Sequence, residues 1–135
     1  MDVADVLAEL VSRERRYPPG LIQTNSEPLF TEADLQSWTT STGLDKPELL
    51  DALALALAHG YDEGELAYSQ CDLIVNFLHS SAYWSHFELP DVFFAVYLAF
   101  DAGEYYHDND RTKDPEREYT RPQISALLRK AEPGD

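Results

Sequence analysis

The sequence has few of the residues and segments that mark common catalytic, cofactor-binding and membrane sites. It has one cysteine, Cys71, in 135 residues, which excludes an internal disulfide. No apolar run approaches the roughly 18 residues of a membrane span, and the first residues lack the basic start and apolar core of a signal peptide. No glycine-rich phosphate loop or internal repeat is present. We therefore expect a cytoplasmic protein with no cofactor.

Positive charge is missing from the middle of the chain. No lysine or arginine occurs between Lys46 and Arg111, and most of the formal net charge of -15 arises in that interval. Its acidic residues are Glu48, Asp51, Asp62, Glu63, Glu65, Asp72, Glu88, Asp91, Asp101, Glu104, Asp108 and Asp110. Such a surface repels nucleic acid and anionic membranes, so we expect direct binding to neither. It favours a basic protein partner, although a generally acidic surface without a particular target is the simpler alternative.

The hydrophobic pattern predicts an all-α fold, a compact single domain over residues 1–135 with about six helices. Hydrophobic residues make up 44% of the chain, which is enough for a core at this length. Apolar residues recur at three- and four-residue steps, and strand signals are weak. We expect helices over 2–17, from Thr31 for a short stretch, and over 45–60, 65–80, 90–107 and 120–130. We expect polar loops near 18–30 and 108–119, an aromatic connection over 80–88, and a frayed tail at 131–135.

The stretch from Leu89 to His107 is predicted to be the central helix. It begins with Pro90 and Asp91, residue types that favour a helix start. Its apolar positions are Val92, Phe93, Val96, Tyr97 and Phe100. Because this apolar face is wide, other helices must cover it on most sides. Towards its end, Asp101 and Glu104 are one turn apart and share a face.

Aromatic residues lie beside or near acidic ones in the base-free interval, and we predict that this group binds a protein partner. Tyrosine and tryptophan are the usual anchors of interface hot spots, and neighbouring carboxylates would receive arginine or lysine. The predicted partner-binding residues are Tyr61, Asp62, Glu63, Glu65, Tyr83, Trp84, Asp101, Glu104, Tyr105, Tyr106, Asp108 and Asp110. The alternative is that these rings cover the core.

A metal site is not expected. Glu104 and His107 have the Glu-x-x-His spacing that places two ligands on one helix face in di-iron bundles. Such sites need a second pair of this kind and two further glutamates, and the sequence has no second Glu-x-x-His. Cys71 lies in an apolar run, which is typical of a buried small residue rather than a nucleophile.

Asp72 and Asn76 form a polar pair, one turn apart on a helix that looks buried. A buried carboxylate must be paired or hydrogen-bonded, so we expect Asp72 to bond internally to a tyrosine hydroxyl or a loop backbone. We likewise expect Asp101 to form a structural ion pair with the basic C-terminal segment, through Arg111, Arg117 or Arg121. We predict no catalytic residue.

Three segments carry a likeness to known proteins: CDLIVNFL, VYLAFDAGEYYHDND and DPEREYTRPQI. The stretch from Tyr68 to Leu128, under half of the chain, resembles small acidic bacterial proteins of the toxin-immunity type. That resemblance implies a cytoplasmic antitoxin that binds and blocks the toxic domain of a secreted toxin. Many such toxins are basic nucleases, which would suit an acidic inhibitor.

Three functions are therefore open. The first is a non-enzymatic inhibitor of a basic toxin domain, itself a monomer or weak dimer. The second is a nucleic-acid mimic that presents carboxylates to a DNA- or RNA-binding protein, which would need acids spaced along an extended surface. The third is a small enzyme with Asp72, Asp101 or Glu104 as acid-base residues, which would need a deep pocket and raised carboxylate pKa values.

Overall fold

The computed structural model describes residues 1–17 and 28–131, and within these ranges it contains helices and no strand. The α-helices are α1 (Val3–Arg16), α2 (Glu32–Thr42), α3 (Lys46–Asp62), α4 (Tyr68–Trp84), α5 (Asp91–Asp101) and α6 (Arg121–Ala131). Short 3-10 turns at Ala102–Glu104 and His107–Asn109 and a π turn at Glu116–Thr120 join α5 to α6. The prediction of a compact all-α bundle of about six helices is confirmed. Among the described helices, none combines the length and apolarity needed to cross a membrane.

Helix α5 packs against α3, α4 and α6. Its side chains Phe93, Val96, Ala99 and Phe100 are fully buried. Helix α3 contributes leucine and alanine side chains to the same core. These are Leu50, Leu53, Ala54, Leu57 and Ala58, all fully buried. Burial of one such leucine or phenylalanine stabilises the fold by about 1.5–3 kcal/mol, so the α3–α5 contact anchors the core and fixes the orientation of α5.

Local sequence sets where the first three helices begin. Each starts with a capping box, in which the N-cap side chain and an acidic side chain three residues later accept each other's backbone N–H. The pairs are Asp2 with Asp5, Thr31 with Asp34, and Asp45 with Glu48. The helix starts predicted at Thr31 and Asp45 are thus confirmed.

Helix α5 begins differently, because its N-cap residue, Pro90, has no side-chain oxygen. The missing acceptor comes from α3, where the Asp51 carboxylate accepts a hydrogen bond from the Phe93 N–H at 2.8 Å. This contact joins residues that are far apart in sequence. One acid of the base-free interval therefore fixes the start of the central helix.

Helix α2 is longer than predicted. It continues through the threonine-rich stretch to Thr42 and ends at Gly43, whose φ of 75° is in the left-handed region. The hydroxyls of Thr39 and Thr42 donate to the carbonyls of Gln36 and Trp38. Both hydroxyls thus bond within their own helix, and the helix continues to Thr42 despite the poor helix propensity of this stretch.

Helix α4 begins at Tyr68 rather than near Glu65 and ends later than predicted, so the placement of Tyr83 and Trp84 in a connecting loop was wrong. Both residues belong to the last turn of α4, which ends at Trp84. Ser81 and Ala82 are buried against the core, and the Ser81 hydroxyl donates to the Leu78 carbonyl at 2.6 Å. Packing of this last turn therefore extends the helix.

Helix α5 is shorter than predicted, since its α-helical part ends at Asp101 rather than near His107. The carbonyls of its last turn are taken by side chains from other elements. The Tyr68 hydroxyl donates to the Phe100 carbonyl, and the Thr120 hydroxyl donates to the Ala99 carbonyl, each at 2.7 Å. These donors satisfy groups that every helix end leaves unpaired.

The predicted loop over 108–119 was partly wrong, because helical structure resumes at its end. The Asp114 carboxylate accepts a hydrogen bond from the Glu116 N–H at 3.1 Å. Pro115 follows this cap at a position where a helix tolerates proline. The predicted loop near 18–30 lies largely outside the described residues, as does the predicted frayed tail beyond Ala131.

Candidate functional site

Helices α4 and α5 run in opposite directions and present one continuous face. We define the α4–α5 face by Asp72, Asn76 and His79 on α4, by Phe94, Tyr97 and Asp101 on α5, and by Glu104 just after α5. Neither helix contains a lysine or an arginine. The face has carboxyl groups at one end and aromatic rings along the rest.

The acidic end places the carboxyl groups of Asp101 and Glu104 near that of Asp72, one turn before Asn76. The Asn76 side-chain amide donates to the Asp72 backbone carbonyl at 2.8 Å and to Glu104 Oε2 at 3.4 Å. Burial, the adjacent Glu104 carboxyl and the charge of Asp101 raise the pKa of Asp72 to about 8. Asp72 therefore keeps its proton at neutral pH.

The predicted internal bond of Asp72 to a tyrosine hydroxyl or a loop backbone was wrong. Within the described ranges, Asp72 Oδ1 is buried and has no hydrogen-bond partner. The hydroxyl of Tyr68, one turn earlier on α4, donates instead to the Phe100 carbonyl. A buried acceptor without a partner costs roughly 1–3 kcal/mol, and protonation of the carboxyl reduces that cost.

The predicted ion pair between Asp101 and the basic C-terminal segment was also wrong. Arg121 lies 3.8 Å from Glu116, and the Arg111 guanidinium lies over the Tyr106 ring at 5.5 Å. Across the described part of the chain, Asp101 takes part in no ion pair within 4.0 Å. The carboxyl cluster is thus without an internal counter-charge.

The aromatic part of the face is a stack of rings centred on Tyr97. The His79 ring lies 4.1 Å from the Tyr97 ring, and the Phe94 ring lies 6.3 Å from it on a nearly parallel plane. Phe94 remains 43% exposed. Burial and the charges of Asp101 and Glu104 raise the pKa of Tyr97, so this phenol stays protonated and can donate a hydrogen bond.

An open groove of about 580 Å³ runs along α4 beside the carboxyl cluster. Its lining combines apolar side chains with polar ones: Tyr68, Ser69, Asp72, Leu73, Asn76, Phe77, Ser80 and Glu104. A long side chain with an apolar stem and a charged head, such as arginine, fits such a surface because its stem and head find different partners.

The predicted partner-binding residues do not form one patch. Asp62 is the last residue of α3, and Glu63 and Glu65 lie in the turn that leads to α4. Tyr61 beside them is a packing residue, because its ring lies 5.3 Å from that of Phe100. Its hydroxyl donates to Glu116 Oε2 at 2.7 Å, and burial together with that carboxylate raises its pKa.

Tyr83 and Trp84 lie at the opposite end of the bundle. Helix α4 has 17 residues, so they are about 20 Å from its first turn at 1.5 Å per residue. Tyr83 is 84% exposed. The Trp84 ring packs against that of Phe30 at 5.8 Å on one side, and the residue remains 38% exposed.

The rings after α5 pack on neighbouring side chains, although Tyr105 and Tyr106 remain 53% and 46% exposed. The Tyr105 ring stacks on that of His107 at 4.3 Å, and the Tyr106 ring lies under Arg111. Asp108, at a φ of 54°, forms a left-handed turn. The Asp110 carboxylate accepts a hydrogen bond from a backbone N–H two residues later. Of this segment, Glu104 alone joins the α4–α5 face as we define it.

Sequence reasoning missed His79 and Phe94 as residues of the face and treated Tyr97 only as core. A signal was available on α4, where Asp72, Asn76 and His79 are spaced by four and three residues and so share one side. The contribution of α5 could not be read in the same way. It depends on how the two helices pack, which spacing alone does not determine.

The described residues show neither a metal centre nor a reactive thiol. In residues 1–17 and 28–131, no three His, Cys, Asp or Glu side chains are arranged to hold a metal ion. Cys71 is buried, and its thiol donates a hydrogen bond to the Leu57 carbonyl. Burial and the charges of Asp72 and Glu14 raise the pKa of its thiol to about 12, so it is a poor nucleophile.

Comparison with known proteins found no matching family model, no matching curated protein and no matching solved structure.

Proposed function

We propose that the protein is a non-enzymatic binding protein that inhibits a basic protein domain, in the manner of an immunity protein that blocks a toxin. The observation that carries this proposal is the carboxyl cluster of Asp72 on α4, Asp101 on α5 and Glu104 just after α5, in a part of the chain without lysine or arginine. Its surplus negative charge has no ion-pair partner among the described residues. A basic side chain from a partner would supply the missing charge.

The state of Asp72 gives this binding a signature. A partner arginine or lysine that pairs with Glu104 would offset the negative charge beside Asp72. That change lowers the pKa of Asp72 from its raised value of about 8. Binding at neutral pH would therefore release a proton, and affinity would rise with pH until Asp72 is ionised in the free protein.

The partner can be identified by capture with the tagged full chain from its native cell, at low and at high salt. A basic protein held more weakly at high salt is the expected result, because salt screens such contacts. Glu104→Lys should then slow association with that partner by about tenfold or more at low salt, since it reverses the steering charge.

The matched control is Glu88→Lys, which makes the same charge change at an exposed position before the start of α5, at the opposite end of that helix from Glu104. Equal effects of the two variants would mean that only net charge matters, and this would contradict the assignment of the face. A capture that returns no basic protein at either salt would contradict the function itself.

One observation favours a second candidate, a small enzyme. A carboxyl that holds its proton at neutral pH beside a groove of about 580 Å³ has the setting of a general acid. For this candidate, Asp72→Asn should abolish turnover of a substrate bound in the groove. Turnover should also fall as pH rises through about 8 in the unaltered protein. The inhibitor proposal expects no such turnover.

The placement of the acids gives less support to a nucleic-acid mimic. Asp51 caps α5, and Asp62 accepts a hydrogen bond from the Ser125 hydroxyl at 3.1 Å. These acids have internal roles, and the remaining ones lie in separate groups rather than along one line. A mimic needs regular spacing along an extended surface.

A further inference from the structure

The outer side of α5 carries a short apolar ridge with an acid at each end. We define the α5 ridge as Asp91, Phe94, Leu98 and Asp101. Their spacings of three, four and three residues place them along one side of the helix. Phe94 and Leu98 are 43% and 46% exposed, although the opposite side of the same helix is fully buried.

A shallow groove continues the apolar surface of the ridge towards α6. It has a volume of about 370 Å³ and includes Ala95 and Leu98 of α5 and Ala126, Leu127 and Lys130 of α6. Single exposed apolar side chains are ordinary. Two large ones on successive turns, beside an apolar groove and between charged ends, have the form of an interaction surface.

Charge decides what can cover this ridge. Asp91 and Asp101 are ten residues apart, about 15 Å along a helix, and neither α4 nor α5 offers a basic residue. A second copy packed antiparallel on the same ridge would set Asp91 of one chain against Asp101 of the other at both ends. Such a contact is repulsive, so a basic partner is favoured over self-association.

The ridge also fixes the pattern of its partner. Because its spacing reads the same in both directions, it matches a helix of the form Lys-x-x-Leu-x-x-x-Leu-x-x-Lys in either orientation. Each apolar pair would pack on the other, and each terminal lysine or arginine would lie near an aspartate. Lys130 of α6 also lines the groove and would repel a basic side chain there, so the lysines of such a helix should lie at the aspartates rather than in the groove.

We propose that the α5 ridge is the docking site for a basic amphipathic helix of the partner protein. The inference rests on the proposed function, since it names the element of the basic partner that the acidic protein recognises. It adds an apolar contact that electrostatic attraction alone does not require.

The test uses two fluorescent peptides that are stapled to hold a helix. The first has the pattern Lys-x-x-Leu-x-x-x-Leu-x-x-Lys, and the second has the same composition with its leucines on opposite sides of the helix. Fluorescence anisotropy with the full chain should show binding of the first that is tighter by about tenfold or more, because burial of even one leucine corresponds to at least that gain. Leu98→Ser should remove that difference.

Val92→Ser is the matched control, because Val92 is 36% exposed on the same helix but lies off the ridge. It should leave the preference intact, and circular dichroism should show that both variants remain folded. Equal binding of the two peptides, or binding of neither, would overturn the ridge as a docking site. Self-association of the free chain that Leu98→Ser abolishes would overturn it in favour of a second copy.

These outcomes separate the ridge from the function on which it rests. Both peptides could bind equally, with an affinity that falls with salt and with Glu104→Lys. That result would support recognition of basic partners by the carboxyl cluster and reject the ridge as a docking site. Alternatively, Leu98→Ser could abolish a preference for the first peptide while Glu104→Lys has no effect on capture of the cellular partner. That result would support the ridge and reject the carboxyl cluster as the recognition site.

Discussion

Asp72→Asn should stabilise the protein at neutral and alkaline pH. The raised pKa of about 8, against an ordinary value of 3.8, means that the folded state holds a proton there that the unfolded chain gives up above about pH 4. Between these values the folded state binds more protons than the unfolded state, so the free energy of unfolding falls as pH rises. Asparagine has nearly the same shape and cannot ionise, so it removes this loss.

The size of the effect follows from the shift. One pKa unit corresponds to about 1.4 kcal/mol, so a shift from 3.8 to about 8 sets an upper limit of roughly 6 kcal/mol. Asp72 is only half-buried, and solvent screens the repulsion from Asp101 and Glu104. We therefore expect a gain of about 2 kcal/mol above pH 8 and little or none near pH 4.

Urea unfolding followed by circular dichroism, at about pH 5 and about pH 9, gives the two free energies of unfolding. Glu65→Gln is the control, because it removes an exposed carboxyl at the α3–α4 turn outside the cluster. Glu104→Gln should reproduce part of the gain, since it removes one of the two neighbouring charges. An Asp72→Asn protein with no gain at the higher pH, or with the same gain at both, would refute the reasoning.

Two further changes test the contacts that position the face. Asp51→Ala should lower the free energy of unfolding by about 1–2 kcal/mol, because it leaves the start of α5 without its acceptor; Asp51→Asn, which keeps an oxygen, should cost less, and equal losses in urea unfolding would contradict the capping role. Gly103→Ala should cost about 1–3 kcal/mol, because a Cβ there would lie 2.9 Å from the Tyr68 hydroxyl oxygen and closer still to Thr120 Oγ1. A Gly103→Ala protein as stable as the parent chain would show that the α5 end can move away from Tyr68.

Helix identity was predictable from the sequence because its causes are local. The capping box of Thr31 with Asp34 and that of Asp45 with Glu48 each lie within four consecutive residues. Helix ends were predicted less well, since their causes are distant. The end of α5 depends on hydroxyls from Tyr68 and Thr120, which bond to the carbonyls of Phe100 and Ala99. The local sequence near residue 101 does not predict these two donors.

The candidate site shows the same division between local and distant causes. That Asp101 and Glu104 lie together was readable from their spacing within one segment. That Asp72 joins them was not, because it requires α4 and α5 to pack side by side in opposite directions. The inward placement of Tyr61 was hidden for a similar reason. Its neighbours in sequence are acidic and exposed, whereas its hydroxyl reaches Glu116, 55 residues away.

The carboxyl cluster links stability to the proposed binding. Burial and the two neighbouring carboxyl groups raise the pKa of Asp72, and one of its oxygens has no hydrogen bond in the described chain. The protein has bases that could have neutralised them, yet Arg121 pairs with Glu116 and Arg111 covers Tyr106. A partner base would remove repulsion among these carboxyl groups that the free protein retains. Part of the free energy that this repulsion costs the folded state would therefore contribute to binding. On this argument Asp72→Asn should stabilise the free protein and weaken partner binding together, whereas a purely structural cluster would change stability alone.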